Sequence, residues 1–204
     1  MGYARELYTD NYYQNLYTKR TKNGPRPDQL VILSKIRWSG KTVLDIGCGC
    51  GEMLYFCLSR SANRVVGIDF SIAAINYAKQ ALRNNNSYEL ICNDALIALR
   101  SIKEKFDYVL MLDSIEHIPA SEIDEILENV YRICKNILIV QTPYYSVYDD
   151  YEAQGFYNNE TASDKLPETR GMHCTKYTKD TLIAKLLEHN FKTRDALHFR
   201  RCNA

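Results

Sequence analysis

The hydrophobic rhythm of the chain changes repeatedly from Lys41 onward, and each change marks an element. TVLDI at 42–46 predicts a first strand, followed by a glycine-rich loop and a helix near 52–60. RVVGI at 64–68 predicts a second strand, and IAAINYAKQALR at 72–83 carries apolar residues at helical spacing. YELIC, a short helix over about 95–102, FDYVLML, a helix from about 121 to 133 with Ser121 as its N-cap, and NILIVQ continue the alternation. Strands apolar on both sides need cover on both faces, because a strand with one face in water alternates. The predicted architecture is a single α/β domain with a doubly wound, mostly parallel sheet.

Two stretches break the rhythm. Before Asp28 the chain carries Tyr3, Tyr8, Tyr12, Tyr13 and Tyr17, then the basic run TKRTKNGPRP, whose prolines and glycine discourage regular structure. Residues 1–27 therefore read as an appended segment, with the domain proper over 28–204. After Pro143 a polar, tyrosine-rich stretch runs to about 174, too long to be an idle connection, and 143–174 reads as a lid or substrate loop. A helix at TKDTLIAKLLEHN and a last strand near 191–200 follow.

Charge and cysteine usage narrow the function. The 26 Lys and Arg balance 25 Asp and Glu, so no global basic field draws the chain to nucleic acid or an anionic membrane, and the expected partner is a small molecule. No run approaches the roughly 20 apolar residues of a membrane span, and MGYARELYTDNYY lacks the apolar core of a signal peptide; a cytoplasmic monomer or homodimer is expected. Seven cysteines show no CxxC pair, so neither a zinc site nor a disulfide framework is expected. Cys48 and Cys50 read as small packing residues in a tight turn.

The chemistry gathers at the carboxyl ends of the predicted strands. The first runs from Asp45 into Gly47, Cys48, Gly49, Cys50 and Gly51, where glycine lets a ligand approach the backbone closely. A dinucleotide fingerprint wants its third glycine at position 52, which is Glu. The spacing instead resembles the acidic-x-Gly-x-Gly-x-Gly motif of class I S-adenosylmethionine-dependent methyltransferases, and so do the strand ends at Asp69-Phe70, Asn93-Asp94-Ala95 and Asp113. The stretch ending in Glu116-His117 resembles small-molecule enzymes of the ubiquinone-biosynthesis type. The likeness covers about residues 42–141, more loosely 178 onward, and the family's usual final hairpin is hard to find in FKTRDALHFRR.

The resemblance implies the Rossmann-like methyltransferase fold, S-adenosylmethionine as cofactor and S-adenosylhomocysteine as product. It places Asp45, Gly47, Gly49, Gly51, Asp69, Phe70, Asn93, Asp94, Ala95 and Asp113 at the cofactor. Plainer roles stay open: Asp69 as a helix cap, although Ser71 offers one, Asp94 as a turn residue, and Glu116 as a loop carboxylate. The sulfonium is already electrophilic, but a sugar or alcohol hydroxyl needs a positioned base, and His117 and His173 are the two choices. In the family both flanking segments commonly cover the acceptor pocket, so the resemblance implies that residues 1–27 form a substrate-capping segment, with Tyr13, Tyr17, Arg20, Glu116, Tyr144 and Tyr145 as the expected substrate contacts. Aromatic faces with phenol hydroxyls suit sugars and flat rings, and the basic run could meet a phosphate.

Absent motifs remove other acceptors. Asp113-Ser114-Ile115-Glu116 stands where DNA-adenine and protein-glutamine enzymes carry Asn/Asp-Pro-Pro-Tyr. No cysteine nucleophile lies near the fourth strand, and Gln141-Thr142 replaces the Asp-Asn of metal-dependent catechol enzymes, so no metal is expected. Asp113, Glu116, His117 and His173 around a different divalent ion remain an alternative. The expected function is O-methylation of a small sugar-containing or anionic metabolite; the alternatives are methylation of RNA or protein, or a non-catalytic scaffold.

Overall fold

The computed structural model describes residues 8–20, 25–143 and 174–193. Strands β1 (Thr42–Ile46), β2 (Arg64–Asp69), β3 (Tyr88–Cys92), β4 (Phe106–Leu112) and β5 (Cys134–Gln141) form one sheet in the order β3-β2-β1-β4-β5. All four pairings are parallel. The chain steps outward from β1 through β2 to β3, then returns to the other side of β1 for β4. The strand order therefore reverses between β1 and β4, where sheets of this kind open a crevice at their carboxyl ends.

Alternation along the strands feeds two separate cores. Val43, Val65, Tyr108 and Leu110 pack with helices α2 (Pro27–Leu33), α3 (Glu52–Ser59) and α4 (Ile72–Leu82). Leu44, Val66, Val109 and Met111 point the opposite way, toward α5 (Ala95–Ser101), α6 (Ala120–Ile133) and α7 (Lys179–Glu188). On α6 the buried positions are Ile123, Ile126, Leu127, Val130 and Ile133, a single stripe at helical spacing. Full burial of each such side chain stabilises the fold by about 1.5–3 kcal/mol, enough to fix that helix across the sheet. Gly67 in β2 lets α3 come close, because a Cβ there would lie 2.6 Å from Leu54 Cδ1 and 2.8 Å from Cys48 Sγ.

Several sequence expectations shift. Among the described residues before Asp28 the chain is partly regular: α1 (Asp10–Arg20) takes in Thr18–Arg20 of the basic run, and Pro27 opens α2 at its first position, where a missing N–H costs nothing. Leu16 and Tyr17 of α1 join Ala73 and Tyr77 of α4 in a third small cluster around Tyr13, Cys50 and Ala74, so α1 is packed onto the domain. Ser121 is not an N-cap; α6 begins at Ala120 behind Pro119, whose fixed φ of −58° starts the turn without a side-chain bond. Residues 191–193 carry no strand, and the rest of the predicted last strand, like most of the 143–174 loop, lies outside the described residues.

Candidate active site

A cavity opens at the carboxyl ends of β1, β2, β3 and β4, under the N-terminal segment. The glycine loop forms its floor. Gly47 has φ +78°, and a Cβ on it would strike Ser114 Cβ at 2.6 Å, so only glycine brings the loop this close to β4. A Cβ at Gly49 would meet nothing within 4 Å, which leaves its backbone open to a ligand. Gly51 is not part of the cavity wall; it caps α3 in a left-handed conformation against Ala78.

Asp69 closes β2 and ties the floor to the next helix. Its carboxylate accepts from Gly49 N at 3.0 Å and from Ser71 N at 2.9 Å, while Ser71 itself caps α4. Burial lifts its pKa to about 6, against the pull of those two amides and a hydrogen bond from Tyr13. Asp94 caps α5 through Leu96 N and still faces the cavity with Asn93 and Ala95, so its turn role and its place in the wall coexist. Asp45, 2% exposed, is raised to about 8 by burial and by the nearby carboxylates of Glu52 and Asp69.

Asp113 leaves β4 with φ +52°, a conformation costly for a residue with a Cβ and often found at functional sites. The contacts that fix it are plain: Asp113 N donates to Gln141 O at 2.8 Å, and the Arg26 guanidinium grips the carboxylate with both terminal nitrogens. Arg26 also holds Asp28, which accepts from Gln141 Nε2 at 2.7 Å. Arg26 is thus neutralised by two carboxylates.

Next comes a short 3-10 turn, Ile115–His117, pinned when Cys174 N and Thr175 N both donate to Glu116 O. His117 lines the cavity, with Nδ1 at 2.9 Å from Tyr8 Oη and Nε2 at 3.9 Å from Glu116 Oε1. Glu116 is 1% exposed and sits behind the wall; burial, with Asp113 adding its charge, lifts its pKa to about 8. Ser114 Oγ and Gln141 Oε1, at the carboxyl edge of β4 and β5, are buried side-chain oxygens without a hydrogen-bond partner.

The sign of the wall is its strongest property. Among the described residues it contains Asp45, Glu52, Asp69, Asp94 and Asp113 and no Lys or Arg. With Asp113 paired to Arg26 and the Asp45 pKa held at about 8, the remaining carboxyls set the sign of the wall, which favours cations over phosphates.

Residues 43–136 match the family model described as a methyltransferase domain. Over those residues the chain is similar to a methyltransferase domain. The ubiquinone biosynthesis O-methyltransferase of Pasteurella multocida is 33% identical over 110 residues, covering 49% of this chain and 43% of that protein. A probable protein arginine N-methyltransferase of rice is 36% identical over 110 residues, covering 54% of this chain and 25% of that protein. The chain thus spans less than half the length of these curated relatives. The crystal structure of the N-methyltransferase NodS from Bradyrhizobium japonicum, in complex with S-adenosyl-L-homocysteine, superposes with a TM-score of 0.63 at 18% identity, covering 91% of this chain and 82% of that one. At that identity the likeness is one of fold.

Asp45, Gly47, Gly49, Asp69, Phe70, Asn93, Asp94, Ala95, Asp113, His117 and Tyr13 all reach one cavity. Tyr17 does not; its ring lies against Tyr77 at 5.1 Å on the outer side of α4. Arg20 ends α1, but its side chain, together with Tyr144, Tyr145 and His173, lies outside the described residues. Gln29 lines the cavity without having drawn attention in the sequence; Glu52 and Ser114, named there only for motifs they break, line it too, and Tyr8 does so in contact with His117.

Proposed function

We propose that this protein transfers a methyl group from S-adenosylmethionine to a hydroxyl oxygen of a small acceptor. The observation that carries the reading is the acidic cavity wall, which holds five carboxyl groups and, among the described residues, no lysine or arginine. When bound, the cofactor supplies an electrophilic methyl on a sulfonium and brings an ammonium as well, and both charges suit such a wall. In this reading Asp69 takes the ribose hydroxyls, Asn93, Asp94 and Ala95 border the adenine, and Asp45 with Gly47 and Gly49 holds the methionine end. Asp113, clamped by Arg26, stands beside them. His117 is the assigned base, because it is the histidine that faces the cavity among the described residues.

A sugar-containing acceptor fits this reading better than an anionic one. A phosphate would face the acidic wall, and Arg26 is already held by Asp28 and Asp113. Protein methylation is a second reading, supported by the 36% identity to the rice protein, and an arginine-containing peptide offered beside sugars and phenols would separate the two. The protein is further proposed to work in the cytoplasm as a monomer or homodimer.

The test is calorimetric titration with S-adenosylmethionine, S-adenosylhomocysteine and, as a control, NADH. Micromolar binding of the first two and none of the third is expected. Binding of neither sulfur compound would overturn the proposal, and binding without transfer to any acceptor would favour a scaffold.

A further inference from the structure

We propose that Tyr8 is a catalytic residue: its hydroxyl receives the acceptor's hydroxyl proton while handing its own to Nδ1 of His117. The inference rests on the methyltransferase reading above and deepens it by naming the acceptor class, an alcohol, sugar or phenol whose O–H is intact until transfer.

Geometry leads to Tyr8 because His117 does not present Nδ1 to the cavity alone; Tyr8 Oη stands 2.9 Å from that nitrogen. Both side chains line the same space, and three rings fix the phenol in place. Phe70 meets it edge-on at 5.0 Å, Tyr12 at 5.6 Å and the imidazole at 5.9 Å. The relay uses the tautomer with its proton on Nε2, which leaves Nδ1 to accept from the Tyr8 O–H.

The step balances. The acceptor oxygen forms a bond to the methyl carbon, the carbon–sulfur bond breaks with its electron pair passing to sulfur, and the acceptor's proton moves to Tyr8 Oη. The Tyr8 proton moves to Nδ1, and the positive charge once carried by sulfur ends on the imidazolium. The buried Glu116 carboxyl lies beside that ring, with Oε1 3.9 Å from Nε2. Tyr8 cannot act as a base by ionising first, since burial, with Tyr12, Glu116, Cys174 and Asp69 around it, pushes its pKa far up. It must pass a proton on as it takes one.

The experiment begins without an acceptor. Nitrogen-15 histidine spectra of the complex with S-adenosylhomocysteine are expected to show His117 with Nε2 protonated and Nδ1 bare, and Tyr8→Phe should move the Nδ1 resonance. A protonated Nδ1, or a spectrum unchanged in the variant, overturns the proposal. Turnover is then measured on a panel of phenols, catechols and monosaccharides, with benzenethiol as a control that needs little base assistance. Tyr8→Phe should lower kcat by about 10²–10⁴-fold on the hydroxyl compounds with KM little changed, while sparing the thiol. Equal loss on both, or no transfer to any hydroxyl compound, overturns it. A protein that fails to bind S-adenosylhomocysteine would instead fail the wider reading, so the two failures are distinguishable.

Discussion

Raising the pH from 6 to 7 should tighten cofactor binding about tenfold through Asp45. In the empty cavity burial and the carboxylates of Glu52 and Asp69 hold its pKa at about 8, so the group carries a proton throughout that interval. A positively charged ligand beside it favours the ionised form instead, and the proton leaves as the ligand enters. Affinity therefore rises with pH below the free-protein value and levels off above it. With one proton released, the slope is about tenfold, or ~1.36 kcal/mol, per pH unit. Keeping to pH 7 and below leaves the ligand's own α-amino group, which titrates near ~7.7–8.0, mostly protonated. Calorimetry in two buffers of different ionisation heat counts the protons directly. Asp69, held at about 6, and Glu116, at about 8, can add to the wild-type slope, so the decisive comparison is Asp45→Asn, which should lower the count by about one. Equal affinity at both pH values in the wild type, or an identical slope in the Asn variant, would refute the reasoning.

Three further outcomes follow from the same geometry. Asp69→Ala should weaken S-adenosylhomocysteine binding by about 1–3 kcal/mol, or ~5- to 150-fold in Kd, the cost of a hydrogen bond to a charged group; an unchanged titration would contradict the role given to β2. Gly67→Ala drives a methyl into Leu54 and Cys48, and the overpacking should cost about 1–3 kcal/mol, seen as a Tm lower by roughly 2–12 °C. Glu116 has its folded pKa lifted from 4.5 to about 8, so its contribution to stability is complete below pH 4.5 and is lost as the pH rises through 8. Calorimetric melting of Glu116→Gln should therefore show a flatter decline over that interval than the wild type, and parallel curves would argue against a buried, protonated carboxyl.

How much of this was legible in the sequence depends on whether local pattern or tertiary contact decides each residue. The five strands and the helices behind them announce themselves because both faces of the sheet are covered, which forces unbroken apolar runs such as VVGI and YVLML. Asp45, Asp69 and Asp94 could be placed because each ends a strand, and strand ends converge by topology. Tyr8, Gln29 and Ser114 could not be, since their presence in the wall depends on how α1, α2 and the turn after β4 lie against the domain. Ser121 misled for the opposite reason: a good capping residue stood one position inside a helix that a proline had already begun. Tyr17 looked like Tyr13 in composition, yet only their phases on α1 send one toward Asp69 and the other to Tyr77.

Position 52 decides the cofactor class twice, by independent physics. In sequence, Glu52 removes the third glycine, which the dinucleotide fingerprint needs for close packing of the helix on the strand. In the structure the same residue opens α3, behind a left-handed Gly51, and its side chain is part of the cavity wall. A helix N-terminus attracts anions through its exposed N–H groups and dipole, but here the chain places its own carboxylate in that first turn, satisfying the dipole from within. A pyrophosphate would meet Glu52 and, beyond it, Asp45 and Asp69. A ligand bearing a sulfonium and an ammonium meets the same three groups as partners, and the more of them it ionises, the tighter it is held. The glycine loop alone would admit either class of ligand; the acids around it admit one.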